Sequence, residues 1–320
     1  MHGRHFTLVE RELLALGLAR GNTAAQVAEE LGCHVSTIRR EVKRNQAEGV
    51  YLPAQAQALA DERRRRSKAP WKLEDPQRAA FVKEGLRQFW SPEEIAGRWR
   101  KDHPRVRRWW FSHQCVYDWI WRRKDEGQHW HRYLRRAHKK RRKRQEPLET
   151  RGRIAGRVGI EQRPAIVERR TRLGDWESDS VEGSFSAAGL ASHVERKSRY
   201  TVLAKLADGK AATFNVATIG AFARHGRLPL RTTTADNGKE FAGHAELTAA
   251  LGLDVYFARP YHAWERGTNE NTNGLVRQFF PKGLDLRQVT ARQVEHVERL
   301  LNNRPRKCLG YRTPREVLRR

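Results

Sequence analysis

The sequence has few of the features that mark secreted, disulfide-bonded or membrane-spanning proteins. Its three cysteines, Cys33, Cys115 and Cys308, are odd in number and widely spaced, which argues against both a disulfide framework and a zinc module. No apolar run approaches the roughly 20 residues that a membrane-spanning helix needs, so we predict no membrane contact. The first residues also lack the apolar segment of a signal peptide. We therefore expect the protein in a reducing cytoplasm.

Acidic side chains are scarce relative to basic ones. The 320 residues include 64 Lys and Arg against 37 Asp and Glu, a net charge of +27. Residues 1–150 hold 34 of the basic and 19 of the acidic residues, so the excess is spread along the chain. Such an excess indicates a polyanionic partner, with nucleic acid as the leading candidate and a solvated basic protein of ribosomal type as the alternative. Two dense basic runs, at 63–66 and 139–144, are predicted to be linkers that touch phosphates.

The first fifty residues predict a set of three helices. Apolar periodicity places them at about Leu8–Ala19, Ala24–Leu31 and Ser36–Arg44. Thr23 is suited to cap the second helix, and Gly32 follows it where a turn needs a positive φ. Small residues where the helices cross, a glycine in the turn and apolar residues facing a shared core form the pattern of a helix-turn-helix, a DNA-binding motif.

The third of these helices would present polar and basic side chains to DNA. The candidates are His34, Ser36, Thr37, Arg39, Arg40, Lys43 and Arg44. We expect the five nearest the start of the helix to reach base edges and phosphates, and Lys43 and Arg44 to contact the DNA backbone. The alternative is a three-helix packing unit whose basic residues are simply exposed.

A second helix-turn-helix-like segment is predicted further along the chain. Ser91 and Pro92, followed by two acids, form a strong helix start. Val116, Trp119 and Ile120 then recur at helical spacing. The competing interpretation is that the tryptophans, ten in the whole chain, form a core instead of stacking on DNA.

The pattern changes after Gly174 to short β-rich runs that alternate with helices. The chain is therefore expected to be multidomain, with an all-α helix-turn-helix region followed by an α/β domain. The predicted organisation is a helix-turn-helix domain at 1–50, a basic helical linker at 51–89, the second helix-turn-helix-like region at 90–145, a linker at 146–170, and an α/β domain with C-terminal helices at 171–320.

Three acidic residues of the second half have contexts unlike those of ordinary surface acids. Asp179 lies within an alternating run that predicts a strand, where an acid is costly unless it is paired or binds a metal. Asp236 follows a β-branched run at the end of a predicted strand, and Glu270 lies near the start of a helix. Other acids compete for these roles: Asp175, Glu177 and Glu182 for the first, Glu240 for the second and Glu265 for the third. Because Glu177 and Asp179 share one strand face, the pattern alone does not choose between them.

Three carboxylates without histidine or cysteine ligands nearby favour a hard, oxygen-seeking ion, Mg²⁺ or Mn²⁺. Two such ions about 3.5–4 Å apart can activate an attacking hydroxyl and stabilise a leaving oxygen in phosphoryl transfer. Taken singly, each acid is better explained as a surface charge or a helix cap. The prediction of a metal site therefore depends on all three acids meeting in space.

At these residues the chain resembles the transposases of the insertion sequence thirty family, a group of bacterial Asp-Asp-Glu transposases. The resemblance covers nearly the whole chain. It begins with STIRREVKRN at 36–45, continues through SPEEIAGRW at 91–99 and FSHQCVYDWI at 111–120, and is strongest in GDWESD at 174–179, VERKSRYT at 194–201, ADNGKEF at 235–241, GTNENTNGLVRQFFPKG at 267–283 and LNNRPRKCLGYRTPREVL at 301–318. The last three motifs in this order are highly specific.

The resemblance implies a ribonuclease-H-like catalytic core of the retroviral-integrase type. It also implies a catalytic and metal-binding triad of Asp179, Asp236 and Glu270, with two divalent ions. The motif WE-x-D selects Asp179 over Glu177. The thirty-three residues between Asp236 and Glu270 agree with the family's spacing and would not suit Glu265.

The order of elements expected of that core also agrees with the sequence. It comprises strands near 175–181, 191–196 and 200–206, a helix near 211–224, a strand near 230–235, a helix near 239–251, a strand at 253–257 and the helix of Glu270. This order would bring Asp179 on the central strand beside Asp236 on its neighbour. The main departure is Ser178, where the family usually has glycine.

The resemblance further implies a DNA transposase that cleaves and joins strands at the terminal inverted repeats of its element and in target DNA. It would act as a homodimer or higher oligomer at the bacterial nucleoid. Asn273 and Arg277, on the helix of Glu270, are candidates for orienting a phosphate or the flanking strand, although Arg277 equally suits a pair with an acid in the core. Tyr261 and His262 are further candidates for DNA contact. The rival functions are a non-catalytic helix-turn-helix regulator and a ribonuclease-H-like nuclease without joining activity.

Overall fold

The computed structural model describes residues 5–46, 49–67, 71–135, 154–183, 188–260 and 262–319. The chain forms two units, Met1–Trp71 and Lys72–Arg320. In the described stretches, no helix combines the length and the apolar character that crossing a membrane requires. The predicted fold class is confirmed, because the first unit is helical and the second carries an α/β sheet. The basic run at 139–144 lies outside the described residues.

Four helices make up the described part of the first unit. They are α1 (Leu8–Ala19), α2 (Ala24–Glu30), α3 (Val35–Asn45) and α4 (Pro53–Ser67). Thr7 and Thr23 close capping boxes at the starts of α1 and α2. Gly32 has the positive φ, 59°, that the turn between α2 and α3 requires. Leu14, Val27 and other apolar side chains meet in one core, so the predicted three-helix arrangement is present.

α4 is part of this core and not a separate linker. Ala56 of α4 is fully buried. Arg11, only 2% exposed, donates from Nε to Glu41 Oε1 at 2.8 Å and from NH1 to Gln57 Oε1 at 2.5 Å. One buried guanidinium on α1 therefore ties together α3 and α4.

Three helices open the second unit, α5 (Pro76–Arg87), α6 (Pro92–Asp102) and α7 (His113–Asp125). As predicted, Ser91 caps α6 in a capping box with Glu94, and Pro92 takes the first helical position. Trp99 and Trp119, each 2% exposed, lie in a core to which all three helices contribute. For these two side chains, the interpretation as core residues is correct.

The boundaries of the helical segments differ from the predicted ones. Residues 51–89, predicted as a basic helical linker, are helical but pack into both units, as α4 in the first and α5 in the second. Leu86 of α5 is fully buried in the core shared with α6 and α7, so this core begins before residue 90. The four successive arginines at 63–66 dominate the composition of α4 and conceal its apolar residues, which explains why this segment was predicted to be a linker.

The rest of the second unit is a six-stranded sheet with helices packed against both faces. The strands are β1 (Val158–Gly159), β2 (Asp175–Glu182), β3 (Gly189–Glu195), β4 (Thr201–Leu206), β5 (Thr232–Ala235) and β6 (Asp254–Phe257). The helices are α8 (Ile166–Arg169), α9 (Ala211–Ala223), α10 (His244–Leu251), α11 (Gly267–Phe279), α12 (Ala291–Asn302) and α13 (Pro314–Leu318).

The sheet order is β1–β6–β5–β2–β3–β4, with β2 antiparallel to β3 and parallel to β5. The predicted order of elements from β2 to α11 is confirmed, with two differences. A 3₁₀ turn over Lys239–Phe241 precedes α10, which starts only at His244. The two-residue strand β1 adds an edge strand that was not predicted, because so short a segment carries no periodic signal.

The two faces of β2 belong to different cores. Trp176 packs with residues of α9 and α10. Val181 packs on the other face with Leu275 of α11. Because side chains alternate along a strand, Glu177 and Asp179 share the face of Val181, on which α11 lies. The acids of the central strand therefore point to the side of the helix that carries Glu270.

Contacts within the second unit fasten α11 and the C-terminal segments to the helices that precede the sheet. Arg304, 3% exposed, donates from Nε to Glu94 at 2.8 Å. The rings of Phe89 and Phe279 meet edge to face, with centroids 4.9 Å apart. The C-terminal end of α11 is thus held by the segment between α5 and α6, and this contact fixes the helix relative to β2.

Candidate active site

Asp179 and Asp236 meet at the same end of adjacent strands. In the parallel pair of β2 and β5, Glu177 lies opposite Thr234. Asp179 and Asp236 each follow two residues after that pair. Asp236 comes directly after the last residue of β5, where the chain turns and its Oδ1 accepts a hydrogen bond from the amide of Gly238 at 2.8 Å. The strand register itself therefore brings the two carboxylates together.

Arg266 lies between these two carboxylates. Its NH1 is 3.3 Å from Asp179 Oδ1, and its NH2 is 3.3 Å from Asp236 Oδ2. The three side chains are only 14–21% exposed. Burial raises the pKa of Asp179 to about 6, which the charge of Asp236 reinforces and that of Arg266 opposes. The two carboxylates, both largely shielded from water, thus share one cation, the Arg266 guanidinium.

Asn273 holds the other oxygen of Asp179. Its Nδ2 donates to Asp179 Oδ2 at 2.9 Å, and its Oδ1 accepts from Ser192 Oγ at 2.8 Å. Neighbouring Asn269 donates its backbone amide to Glu177 Oε2 at 2.8 Å. Both ends of the Asn273 amide are thus bonded within the protein, and its contact with DNA stays a prediction.

Glu177 and Asp179 share a strand face but have different surroundings. Glu177 is fully buried and forms an ion pair with Arg196, whose NH1 lies 2.9 Å from Glu177 Oε1. A carboxylate already neutralised by a buried arginine is an anchor of the fold. Asp179, near the end of β2, is partly exposed and lines the cleft described below, and its role as a ligand stays a prediction. Glu265 is likewise engaged, since its Oε2 accepts from the amide of Arg259 at 2.8 Å.

Glu270 is separate from the two aspartates in this arrangement. It lies in the first turn of α11 and its side chain is exposed. Across the described stretches of chain, no three His, Cys, Asp or Glu side chains are gathered closely enough to hold a metal ion. The structure therefore brings Asp179 and Asp236 together and leaves Glu270 at the exposed start of its helix.

A cleft of about 430 Å³ opens beside the aspartate pair. Its acids are Asp179, Asp236, Glu182 and Glu240, and its cations are Lys239 and Arg277. Glu240, the rival candidate to Asp236, accepts from Ser180 Oγ at 2.6 Å. Arg277 donates from NH2 to the backbone carbonyl of Glu182 at 2.8 Å, while its buried NH1 has no hydrogen-bond partner among the described residues. Burial lowers the pKa of Arg277. Arg277 is thus a lining residue of the cleft that is half-buried and bonded through NH2 to the protein backbone.

Sequence reasoning missed Arg266, Ser192 and Lys239 as residues of this site. Arg266 lies four positions before Glu270, a helical spacing that offered a signal. Tyr261, predicted to contact DNA, lies outside the described residues. The Nδ1 of His262 is 2.8 Å from the backbone oxygen of Pro260, next to the chain turn.

The predicted DNA-reading residues of α3 lie on the surface of the first unit. His34, Arg39, Arg40, Lys43 and Arg44 are exposed, and Ser36 and Thr37 are half-buried. His34 caps α3 by accepting the amide of Ser36 at 3.2 Å, and Arg40 NH2 donates to Ser36 Oγ at 3.0 Å. These three side chains order one another at the start of the helix.

A second group of arginines continues this surface onto α4. A cleft of about 450 Å³ is lined by Arg40 and Arg44 of α3 and by Arg63 and Arg64 of α4. Arg63 donates to the backbone oxygen of Arg44 at 3.0 Å and to the side-chain oxygen of Asn45. Arg63 thereby satisfies a backbone oxygen at the end of α3 and adds positive charge to this cleft.

Comparison with known proteins identifies the family. A family model described as a helix-turn-helix domain matches residues 2–45. The transposase for insertion sequence element IS4351 of Bacteroides fragilis is 40% identical over 98% of this chain and 95% of its own length. Transposase InsI for insertion sequence element IS30A of Escherichia coli (strain K12) is 36% identical over 99% and 84%. The transposase for insertion sequence element IS1086 of Cupriavidus metallidurans is 37% identical over 97% and 92%.

Among solved structures, the catalytic core domain of BIV integrase matches 45% of this chain and 92% of its own, at 17% identity and a TM-score of 0.35. The sequence relatives match far more of the chain, from the helix-turn-helix to the C-terminal motifs, at 36–40% identity. The chain therefore belongs to the insertion sequence thirty family of transposases.

Proposed function

We propose that this protein binds the terminal inverted repeats of its insertion sequence and catalyses metal-dependent strand cleavage and strand transfer at Asp179, Asp236 and Glu270. The observation that carries the proposal is the convergence of Asp179 and Asp236, from adjacent strands, on a single cation. Family membership supports the reaction class, and the helix-turn-helix of the first unit supports DNA as the partner.

The residues at this site suit a divalent ion. Two carboxylates that already share a guanidinium form a place whose electrostatics favour positive charge. Their oxygens are the ligands that Mg²⁺ and Mn²⁺ prefer. Asp179 and Asp236 would hold the metal. Glu270, which is exposed in the first turn of α11 and separate from the pair in this structure, would join them as the third ligand when the ion binds. Two such ions would activate the attacking hydroxyl and stabilise the leaving oxygen.

The other residues of the cleft position the reactants. Asn273 fixes the Oδ2 of Asp179, while Oδ1 accepts from the backbone amide of Ser180 at 2.9 Å and faces Arg266. Arg277 and Lys239 supply positive charge where the scissile strand would enter. Water would attack in strand nicking and a 3′-hydroxyl in strand transfer, so no covalent intermediate between protein and DNA is needed.

The first unit would locate the element ends. Arg39, Lys43 and Arg44 are exposed along α3, and the cleft with Arg63 and Arg64 extends their charge. Phosphate contacts of this kind set the register, while side chains at the start of α3 read bases. Because two element ends must be joined, we propose a homodimer or higher oligomer on DNA, acting in the bacterial cytoplasm at the nucleoid.

The test is the substitution Asp236→Asn, assayed with Mg²⁺ on a duplex carrying the inverted repeat that flanks the coding region. Cleavage should fall at least about 10³-fold, because the site loses a metal ligand, while repeat binding persists. Asp254→Asn is the matched control, since Asp254 is an exposed aspartate of the neighbouring strand β6. Undiminished Mg²⁺-dependent cleavage by Asp236→Asn would refute the assignment.

The same assay separates the rival functions. A non-catalytic regulator would bind the repeat, and the wild-type chain would leave both strands intact. A nuclease without joining activity would cut but yield no joined strands from a donor with linked repeats. Recovery of joined strands is the outcome that we expect.

A further inference from the structure

Arg266 occupies the centre of the aspartate pair without being firmly bonded there. Its NH2 donates to Asp236 Oδ2 at 3.3 Å, and its NH1 approaches Asp179 Oδ1 at the same distance. Both Nε and NH1 are buried and have no hydrogen-bond partner among the described residues. Charge more than hydrogen-bond geometry therefore keeps this guanidinium in place.

Another ion pair of the same domain shows what a firm contact looks like. Arg172 donates to Asp175 through two nitrogens, Nε and NH2, at 2.9 and 3.0 Å. That two-pronged geometry is the strong form of an arginine–carboxylate pair. Arg266 has only one longer bond of this kind, although it is less exposed than Arg172. The Arg266 guanidinium can thus leave its position between the aspartates with the loss of few hydrogen bonds.

The position of Arg266 in the chain links it to Glu270. Arg266 ends the 3₁₀ turn Ala263–Arg266 and directly precedes α11. Glu270 follows four positions later, in the first turn of α11. The helix itself is anchored just beyond, since Thr268 and Asn269 are buried. Rotation of the Arg266 side chain alone would therefore clear the pair without moving the helix.

The aspartates need a positive charge between them whenever they are both ionised. Two carboxylates that share a partly buried place repel each other, and an intervening cation removes that repulsion. A guanidinium and a divalent ion cannot occupy this place together, because both would bind the same facing oxygens. The two cations must therefore exclude each other.

We propose that Arg266 is a built-in counter-ion, which keeps Asp179 and Asp236 assembled until a divalent cation displaces it. Arg266 is thus a positioning residue that competes with the metal and sets the concentration at which the site loads. This inference rests on the proposed function, which makes the two aspartates metal ligands.

The test measures binding of Mn²⁺ alone to the full chain, by calorimetry at pH 8 and without DNA. Arg266→Gln should bind Mn²⁺ about 10-fold more tightly than the wild type, since no internal cation must be displaced, and 10-fold corresponds to about 1.4 kcal/mol. Arg287→Gln is the matched control, because it removes the same charge from an exposed ion pair of the same unit and does not line the cleft. Its affinity should change by less than about 3-fold.

Thermal unfolding provides a second readout. Without metal, Arg266→Gln should unfold at a lower temperature than the wild type, because the two carboxylates then lack a counter-charge. The same excess concentration of Mn²⁺ should raise the unfolding temperature more in the variant than in the wild type, since the stabilisation by a ligand grows with the logarithm of its concentration divided by Kd. An equal rise in both proteins would contradict the proposal.

Arg266→Lys decides the matter if the glutamine variant does not fold. Lysine keeps the charge but presents a single point charge, in place of a planar guanidinium whose two nitrogens face the two different carboxylates. It should compete less well and give Mn²⁺ affinity a few-fold above that of the wild type. Unchanged or weaker Mn²⁺ binding by folded variants at position 266 would overturn the counter-ion role.

Asp236→Asn distinguishes this failure from a failure of the proposed function. If that variant loses Mn²⁺ binding and Arg266→Gln shows no gain, the metal site stands and only the role of Arg266 is refuted. If Asp236→Asn binds Mn²⁺ like the wild type, the aspartates are not the metal ligands and both proposals fall.

Discussion

The two charged clefts of this protein are built in opposite ways. In the first unit, arginines of the neighbouring helices α3 and α4 line one cleft, and most of the basic side chains of α3 are exposed. In the second unit, Asp179 and Asp236 come from different strands and share a single cation, with each side chain at most 21% exposed. The first cleft gathers basic side chains along adjacent helices, whereas the second sets one cation between two acids.

The difference follows from solvent. Exposed like charges tolerate one another because water and salt screen them. Buried like charges are costly unless each has its own partner. The first unit should therefore respond to ionic strength and tolerate single substitutions. The buried charges of the second unit should respond little to salt, and the unit should lose stability when one partner of a buried pair is removed.

The largest effect should come from breaking the buried pair behind the site, with Arg196→Ala. Arg196 is 1% exposed and neutralises Glu177, which is fully buried. Removing one partner leaves an uncompensated buried charge, which typically costs about 3–5 kcal/mol of the free energy of unfolding. Urea unfolding followed by tryptophan fluorescence measures this loss.

The control for that experiment is an exposed pair in the same unit. Arg287, 63% exposed, bonds to Asp285 on the surface. Arg287→Ala should leave the unfolding midpoint unchanged, because exposed pairs contribute little. Equal destabilisation by both substitutions would break the contrast between buried and exposed charge.

A smaller effect should follow from Asn273→Ala, which frees one oxygen of Asp179. Loss of a residue that orients a metal ligand typically costs about 10–100-fold in activity, and Mn²⁺ affinity should fall with it. Asn271→Ala is the matched control, since Asn271 lies on the same helix and is exposed. Single-turnover cleavage and Mn²⁺ titration measure the two quantities.

The same variant tests the alternative role of Asn273. If it binds repeat DNA more weakly while cleaving at the normal rate once bound, then Asn273 contacts DNA, as the sequence first indicated. Normal repeat binding combined with slow cleavage supports its role on Asp179. The two results cannot both occur.

The fold was largely predictable because the hydrophobic pattern within most helices and strands recurs every few residues. The helices α1 to α3 and the strands β2 to β4 carry clear periodicity and cap residues, so their bounds lie within a few residues of those predicted. α4 was interpreted as a linker, since its arginines at 63–66 conceal the contact made by Ala56. Local patterns therefore predict local structure well where charge does not obscure them.

The site was harder to predict because its contacts join distant parts of the chain. The resemblance implied Asp179 and not Glu177 as the metal ligand, and the sequence pattern did not reveal that Glu177 pairs with Arg196, which directly follows β3. Arg266 formed part of no prediction, since neither aspartate lies near it in sequence. Convergence of this kind depends on strand register, which periodicity does not reveal.

The smallest effect is expected in the first unit, from Arg44→Gln. Arg44 is exposed and lines the cleft of α3 and α4, so we predict that it contacts a phosphate. Each lost phosphate contact should lower the slope of log affinity against log salt by about 0.9, with a loss of a few-fold in affinity for every DNA sequence. Arg20→Gln, an exposed arginine at the end of α1, should leave the slope unchanged. A loss confined to the repeat sequence, with an unaltered slope, would instead mean that Arg44 reads a base, and this part of the first unit would then depend on individual partners as the second unit does.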